Sequence, residues 1–175
     1  MINFSEVQVP VETSYVKPGF WKMAPTKAEL VEKEGKVPYL DITFEGTKGK
    51  LNDKFFLSEK AVGRLQYLHE GLYEKRLEKS FANNTELAGY FNTLFTKKSV
   101  PLNLIVGGEE AANGKTYANL PFTGFITSDD NFEEGAFEPG TARYNEVVKK
   151  STSPASNATV IGNTNASADS AFPWD

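Results

Sequence analysis

The sequence predicts a mainly β domain with a helical insertion, and three observations carry that prediction. Short stretches that alternate apolar and polar residues lie before residue 58 and after residue 98. Glycine-rich turns separate those stretches at hairpin spacing. Between 58 and 98, apolar residues instead recur at spacings of three and four, as on a helix face. A chain of 175 residues, 39% hydrophobic and 13% aromatic, has enough apolar side chain for one domain core.

Residues 1–16 alternate loosely through Val7, Val9 and Val11 around Pro10, as an edge strand or an arm would. Lys17-Pro18-Gly19 is a turn signal. A first strand begins at Phe20 to Met23 and runs irregularly past Pro25 to about Val31. Glu32 to Lys36 reads as a hairpin loop, and Val37 to Glu45 as the clearest strand. In that strand Leu40, Ile42 and Phe44 share one face, with Tyr39, Asp41 and Thr43 on the other. Gly46 to Lys50 forms a turn into a third strand, Leu51 to Leu57, with Leu51, Phe55 and Leu57 on one face and Lys50, Lys54 and Phe56 on the other.

Ser58 suits an N-cap, followed by Glu59 in the first turn. Ala61, Leu65, Leu68 and Leu72 then trace a helix face. A second helix starts near Asn84 or Thr85, with Leu87, Phe91, Leu94 and Phe95 as its stripe. Strand character returns at Val100 to Val106, then Gly107 to Gly114 reads as a polar loop. Thr116 to Thr127 is the last strand, which Pro121 and Gly124 would bend or place at a sheet edge. Three strands, helices and two strands is the order of an OB-fold, a five-stranded Greek-key barrel with its helix between strands 3 and 4. The expected organisation is therefore an OB-fold domain over 1–128 with its helical insertion at about 58–98, an acidic extension over 129–150 and a tail over 151–175.

The tail holds no Lys or Arg, and from Ser151 to Ala168 it is Ser, Thr, Asn, Ala and Gly apart from Pro154, Val160 and Ile161. Too little apolar area is present to offset the entropy of ordering it, which predicts disorder. It closes on Asp-Ser-Ala-Phe-Pro-Trp-Asp, so Asp169, Phe172, Trp174 and Asp175 form an acidic, aromatic tip suited to docking on another protein. Charge is segregated along the chain. Residues 1–128 hold 16 Lys or Arg against 15 Asp or Glu, a balance of +1, whereas 129–175 hold 3 against 8, a balance of −5. Asp129, Asp130, Glu133, Glu134 and Glu138 form the densest acidic run.

Several function classes are disfavoured. There is no cysteine, so disulfides, thiolate metal sites and cysteine nucleophiles are excluded, which fits a reducing compartment. The start, Met-Ile-Asn-Phe-Ser-Glu-Val, has neither the basic nor the apolar region of a secretory signal, and no apolar run approaches membrane-spanning length. A cytoplasmic protein without membrane association is expected. The single histidine, His69, is assigned a solvated or capping role, and no phosphate-binding glycine loop or metal-ligand spacing is present. No catalytic residues, metal or cofactor are assigned. Arg64, Lys75, Arg76 and Lys79 interleave with Glu70, Glu74 and Glu78, the pattern of a solvated, salt-bridged surface.

Binding is better supported. Single-stranded nucleic acid is held by aromatic rings that stack on bases beside cations that follow phosphates. On the outward face of the central hairpin, Tyr39 and Phe56 lie among Lys50 and Lys54, with Lys48 in the turn. Trp21 and Lys22 in the first strand and Tyr117 in the last extend the set, while Phe20, Phe44 and Phe55 are assigned to the core.

The segments Gly35-Lys-Val-Pro-Tyr-Leu-Asp-Ile-Thr-Phe44 and Phe55-Phe-Leu-Ser-Glu-Lys-Ala-Val-Gly-Arg-Leu65 resemble those of small bacteriophage single-stranded-DNA-binding proteins. So does the Lys-Pro-Gly turn ahead of the first strand. The resemblance covers residues 17–70 by motif and the rest by architecture, which is similar to the T7 type: an OB barrel, a linker and an acidic, aromatic tip. It implies a non-enzymatic protein of the host cytoplasm that coats single-stranded DNA in phage replication, recombination and repair, without sequence preference. It also implies that the tip recruits replication and recombination enzymes and competes with DNA for the basic groove. This chain departs from the family in a tip with two acids, in Asp175 where the family has Phe, and in a body that is barely basic. Self-association is left open. The rival reading is a virion structural or assembly component, or another protein-interaction module, that grips its partner through the tail. A glycan- or peptide-binding OB module is a further alternative.

Overall fold

The computed structural model describes residues 14–98, 100–129 and 131–150. Strand β1 (Gly19–Val31) leads into the hairpin β2 (Tyr39–Gly46) and β3 (Gly49–Phe56), then helices α1 (Gly63–Tyr73) and α2 (Asn84–Lys97). Strands β4 (Leu102–Glu110), β5 (Thr116–Asn119) and β6 (Gly135–Ala136), helix α3 (Ala142–Val147) and β7 (Val148–Lys150) complete the order. The class is mainly β, with one mixed sheet of seven strands instead of the expected five. Its main path is β3-β2-β1-β4-β5; β6 pairs with β1, and β7 runs parallel to β4.

β1 serves two neighbours in turn. Gly19 to Met23 pairs with β4 and Ala24 to Val31 pairs with β2, with a register shift between Pro25 and Lys27. Beyond that shift α2 completes the hydrogen bonding of β1. Asn92 Oδ1 accepts from the Ala28 N–H at 2.8 Å, and Asn92 Nδ2 donates to the Ala28 carbonyl at 2.6 Å. Leu40, Ile42 and Phe44 of β2, Leu51 and Phe55 of β3, and Leu104 and Val106 of β4 face one core. Leu65 and Leu68 of α1 and Phe91 and Phe95 of α2 close it from the other side. The inward sets of the hairpin and both helix stripes follow the expected periods.

α1 begins later than expected. Ser58 does not cap it: the Ser58 carbonyl accepts from the Ala61 and Val62 N–H groups in a preceding turn, and the N-cap residue is Val62. α2 is capped by Asn83, whose side chain accepts from the Glu86 N–H at 2.9 Å while Glu86 Oε2 accepts from the Ala82 N–H. The expected loop over 107–114 is shorter, because β4 continues to Glu110. The expected last strand is broken. After Asn119 the chain leaves the ladder through Pro121 and Gly124 (φ +71°), then rejoins β4 where Leu104 faces Ile126.

β3 and β5 are the two ends of the strand path, and no ladder joins them among the described residues. Side chains cross that gap instead. Arg64 of α1 donates to Asp53 Oδ2 at 2.7 Å and to the carbonyls of Lys54, Leu120, Pro121 and Phe122 at 2.8 to 3.1 Å. Asp53 Oδ2 also accepts from the Leu120 N–H at 3.2 Å. Arg64 is only 4% exposed, which corrects its assignment to a solvated surface. His69 is also buried, with Nδ1 2.8 Å from the Lys75 carbonyl and Nε2 2.8 Å from the Tyr90 hydroxyl. Of the two roles expected for this histidine, solvated or capping, the solvated one is corrected by its burial.

Residues 135–150, expected as part of an acidic extension, clasp the entrance to β1. β6 pairs with Gly19 and Phe20, the Phe137 N–H donates to the Pro18 carbonyl at 2.9 Å, and β7 pairs with Gly108 to Glu110. Gly19 and Gly107 make the close approach possible, since a Cβ on Gly19 would strike the Gly135 carbonyl and one on Gly107 the Val147 carbonyl. Phe20 belongs to this clasp and not to the main core. Its ring packs on Phe132 and Phe137, at 5.3 and 4.9 Å between centroids, with the Arg143 guanidinium 5.2 Å away. No helix among the described residues is long and apolar enough to cross a membrane.

Candidate nucleic-acid interface

The β2–β3 register decides which side chains share a surface, because directly opposed residues of an antiparallel pair point to the same face. Leu40 opposes Phe55 and Phe44 opposes Leu51, on the core side. The outward pairs are Tyr39 with Phe56, Asp41 with Lys54, Thr43 with Asn52, and Glu45 with Lys50. The Tyr39 and Phe56 rings lie 5.4 Å apart at 52°, and Lys54 Nζ sits 5.0 Å from the Tyr39 ring centre. Four of the residues singled out from sequence, Tyr39, Phe56, Lys54 and Lys50, are thus brought onto one hairpin surface. Lys48 is exposed in the turn at its end.

The same register adds two acids to this face. Asp41 and Glu45 line β2 while Lys50 and Lys54 line β3, so the face is divided lengthwise into an acidic and a basic row. Neither lysine forms an ion pair among the described residues; Asp41 instead accepts from Asn52 Nδ2, at 3.3 Å. On the adjoining part of β1, Lys27 and Glu29 pair at 3.1 Å. Local charge on this surface is close to balanced.

The remaining candidates lie elsewhere. Trp21 is half-buried against the core, and its indole N–H donates to the Lys17 carbonyl at 2.6 Å. Lys22 is exposed on the stretch of β1 that pairs with β4, where its backbone N–H donates to Glu134 Oε1 at 2.8 Å. Tyr117 is 58% exposed on β5, opposite Glu109 of β4. Asp169, Phe172, Trp174 and Asp175 lie outside the described residues. One ring on the hairpin surface escaped the sequence reading. Tyr15 is 63% exposed, with Lys50 Nζ 4.9 Å from its ring centre. The available signal was its place between an alternating arm and a Lys-Pro-Gly turn.

Among the described residues, Asp53 and Tyr90 titrate away from their ordinary values, and both lie away from this surface. Burial holds the Asp53 carboxyl above its ordinary value, opposed by the charge and hydrogen bond of Arg64. Burial, then the neighbouring Tyr73, raises Tyr90, whose hydroxyl meets His69. Among the described residues, no three His, Asp or Glu side chains lie together as a metal site would need.

Comparison with known proteins gives no match. No protein-family model, no curated protein and no solved structure matches the chain.

Proposed function

We propose that the chain is a sequence-tolerant single-stranded-DNA-binding protein that lays bases on the outward face of the β2–β3 hairpin. The observation that carries this reading is the Tyr39–Phe56 ring pair beside Lys54, on a β surface with Lys50 and Lys48 farther along it. Rings of this kind stack on any base, and the Lys50 and Lys54 ammonium groups, which form no ion pair among the described residues, can turn to phosphates. The strand order β3-β2-β1-β4-β5, with helices between β3 and β4, supports an OB-type barrel beneath that face. On this reading the open side between β3 and β5 is bridged by Arg64, Asp53 and the 120–122 carbonyls instead of a ladder. The tip at Asp169, Phe172, Trp174 and Asp175 would recruit replication or recombination enzymes in the cytoplasm, and the protein has no catalytic role of its own.

Affinity leans on stacking more than on charge, because Asp41 and Glu45 lie beside the lysines. With at most three phosphate contacts, from Lys48, Lys50 and Lys54, the log–log salt slope for a single strand is about −2. Anisotropy of labelled dT12 tests this: binding at about 50 mM salt should weaken roughly twentyfold at about 200 mM. No binding at the lower salt overturns the reading. The near-balanced charge of the same face favours one alternative, a protein-docking module such as a virion assembly component, and copurification with particles without DNA affinity would select it.

A further inference from the structure

The arm that precedes β1 adds a third ring to the hairpin surface, and the hydrogen bonds fix its side. The Lys50 N–H donates to the Ser14 carbonyl at 3.1 Å and the Val16 N–H donates to the Lys50 carbonyl at 3.0 Å, a parallel bridge that sets Tyr15 against Lys50. Val16 is buried in the core. Successive residues of an extended chain point to opposite sides, so Tyr15 stands on the outward side with Lys50. Its ring is exposed, and Lys50 Nζ lies 4.9 Å from its centre.

Lys50, Asn52, Lys54 and Phe56 alternate along that side of β3, so the Tyr15–Lys50 pair and the Tyr39–Phe56 pair mark its two ends. At about 3.3 Å per residue, the six steps from Lys50 to Phe56 separate these ends by about 20 Å. Cations line β3 between them, and the acids Asp41 and Glu45 line β2. A phosphate backbone is therefore drawn to the β3 side of the face and repelled from the β2 side.

We infer that Tyr15 is the second stacking station of a linear site along β3, whose ligand is an extended single strand and not a mono- or dinucleotide. A strand with a base at both stations needs about seven nucleotides at the stacked spacing of about 3.4 Å, and fewer when it is unstacked. The inference rests on reading the hairpin face as a single-strand interface. Tyr15 ends the site at the β2–β3 turn, and Tyr39 with Phe56 ends it at the opposite edge.

The test combines binding of dT12 with NMR titration by dT12 and dT3. Tyr15→Ala should weaken dT12 binding between about fivefold and a hundredfold, the range for loss of one stacked base. Tyr15→Phe should restore it, and both variants should melt with the wild type. In the wild-type protein, one equivalent of dT12 should bring ring resonances of Tyr15 and Tyr39 to their full shifts together, whereas dT3, too short to span about 20 Å, needs two molecules to fill both stations and cannot complete both shifts at one equivalent. Wild-type affinity for dT12 in Tyr15→Ala, or full Tyr15 and Tyr39 shifts with a single equivalent of dT3, overturns the linear site while leaving the interface intact. If dT12 binds without shifting Tyr39, or does not bind, the hairpin reading itself falls and this inference falls with it.

Discussion

Arg64 is the residue on which most separate segments depend. Its guanidinium binds one carboxylate and four carbonyls, and lies 4.5 Å from the Phe55 ring centre. Removing one partner of a buried pair leaves the other charge desolvated and uncompensated. Arg64→Met is therefore expected to cost about 3–5 kcal/mol in urea unfolding at neutral pH. The loss should shrink under acidic conditions, where Asp53 takes up a proton. Asp53 itself supplies a pH dependence of known sign. The folded protein holds its proton above the ordinary value of 3.8, so between 3.8 and the raised value it binds more protons than the unfolded chain. Stability from this group falls as pH rises through that window. Asp53→Asn should flatten the slope there, as read from melting temperature against pH; an unchanged slope would contradict the raised value. Neither role was legible in sequence, because Arg64 sits among alternating acids and bases, and its carbonyl partners at 120–122 lie more than fifty residues away.

Among the strands and helices, period with the glycine turn recovered the hairpin, period recovered the α2 stripe, and β1 was expected to run past Pro25 only as an irregular strand. Two kinds of feature were hidden. Boundaries set by hydrogen bonds shifted, as at Ser58, and a strand-like run from Thr116 to Thr127 broke where Leu120 to Phe122 turned in to meet Arg64. The second kind is a polar residue working between elements. Asn92 looks like an ordinary gap in a helix stripe, yet it satisfies both backbone groups of Ala28. Asn92→Ala should cost about 2–3 kcal/mol by stranding those groups, with Asn92→Asp no better because it loses the donor to the Ala28 carbonyl. Asn83→Ala removes only an exposed N-cap, at a cost of about 1 kcal/mol. Urea midpoints for the two alanine variants should fall in that order, and equal losses would contradict the assigned roles.

For the whole molecule, the segment from Gly135 to Lys150 belongs to the sheet although the acidic run that starts at Asp129 suggested an appendage. Two residues of β6 and three of β7 are too short to register as strands, and their pairing with β1 and β4 is long-range. Truncation after Ser128 should lower the thermal midpoint, because it uncovers Phe20 and removes the β6 partner of Gly19 and Phe20, which keep only their pairing with β4; truncation after Lys150 removes none of the described contacts and should not. The candidate surface was legible because strand alternation fixes facing: Tyr39, Phe56 and Lys54 could be grouped from period and hairpin register. Tyr15 could not, since a chain arm carries no period that names its neighbour; Asp41 was already placed beside Tyr39 by alternation, but its and Glu45's positions opposite Lys54 and Lys50 needed the hairpin register. Single-strand binding by this molecule stands or falls on bases stacking against the Tyr39–Phe56 pair. The decisive quantity is dT12 affinity at low salt for Tyr39→Ala, Phe56→Ala and the double variant, with folding checked by melting. Each single variant should lose about 1–3 kcal/mol of binding, and the double variant more. A folded double variant that binds dT12 as tightly as the wild type would rule out stacking at this pair.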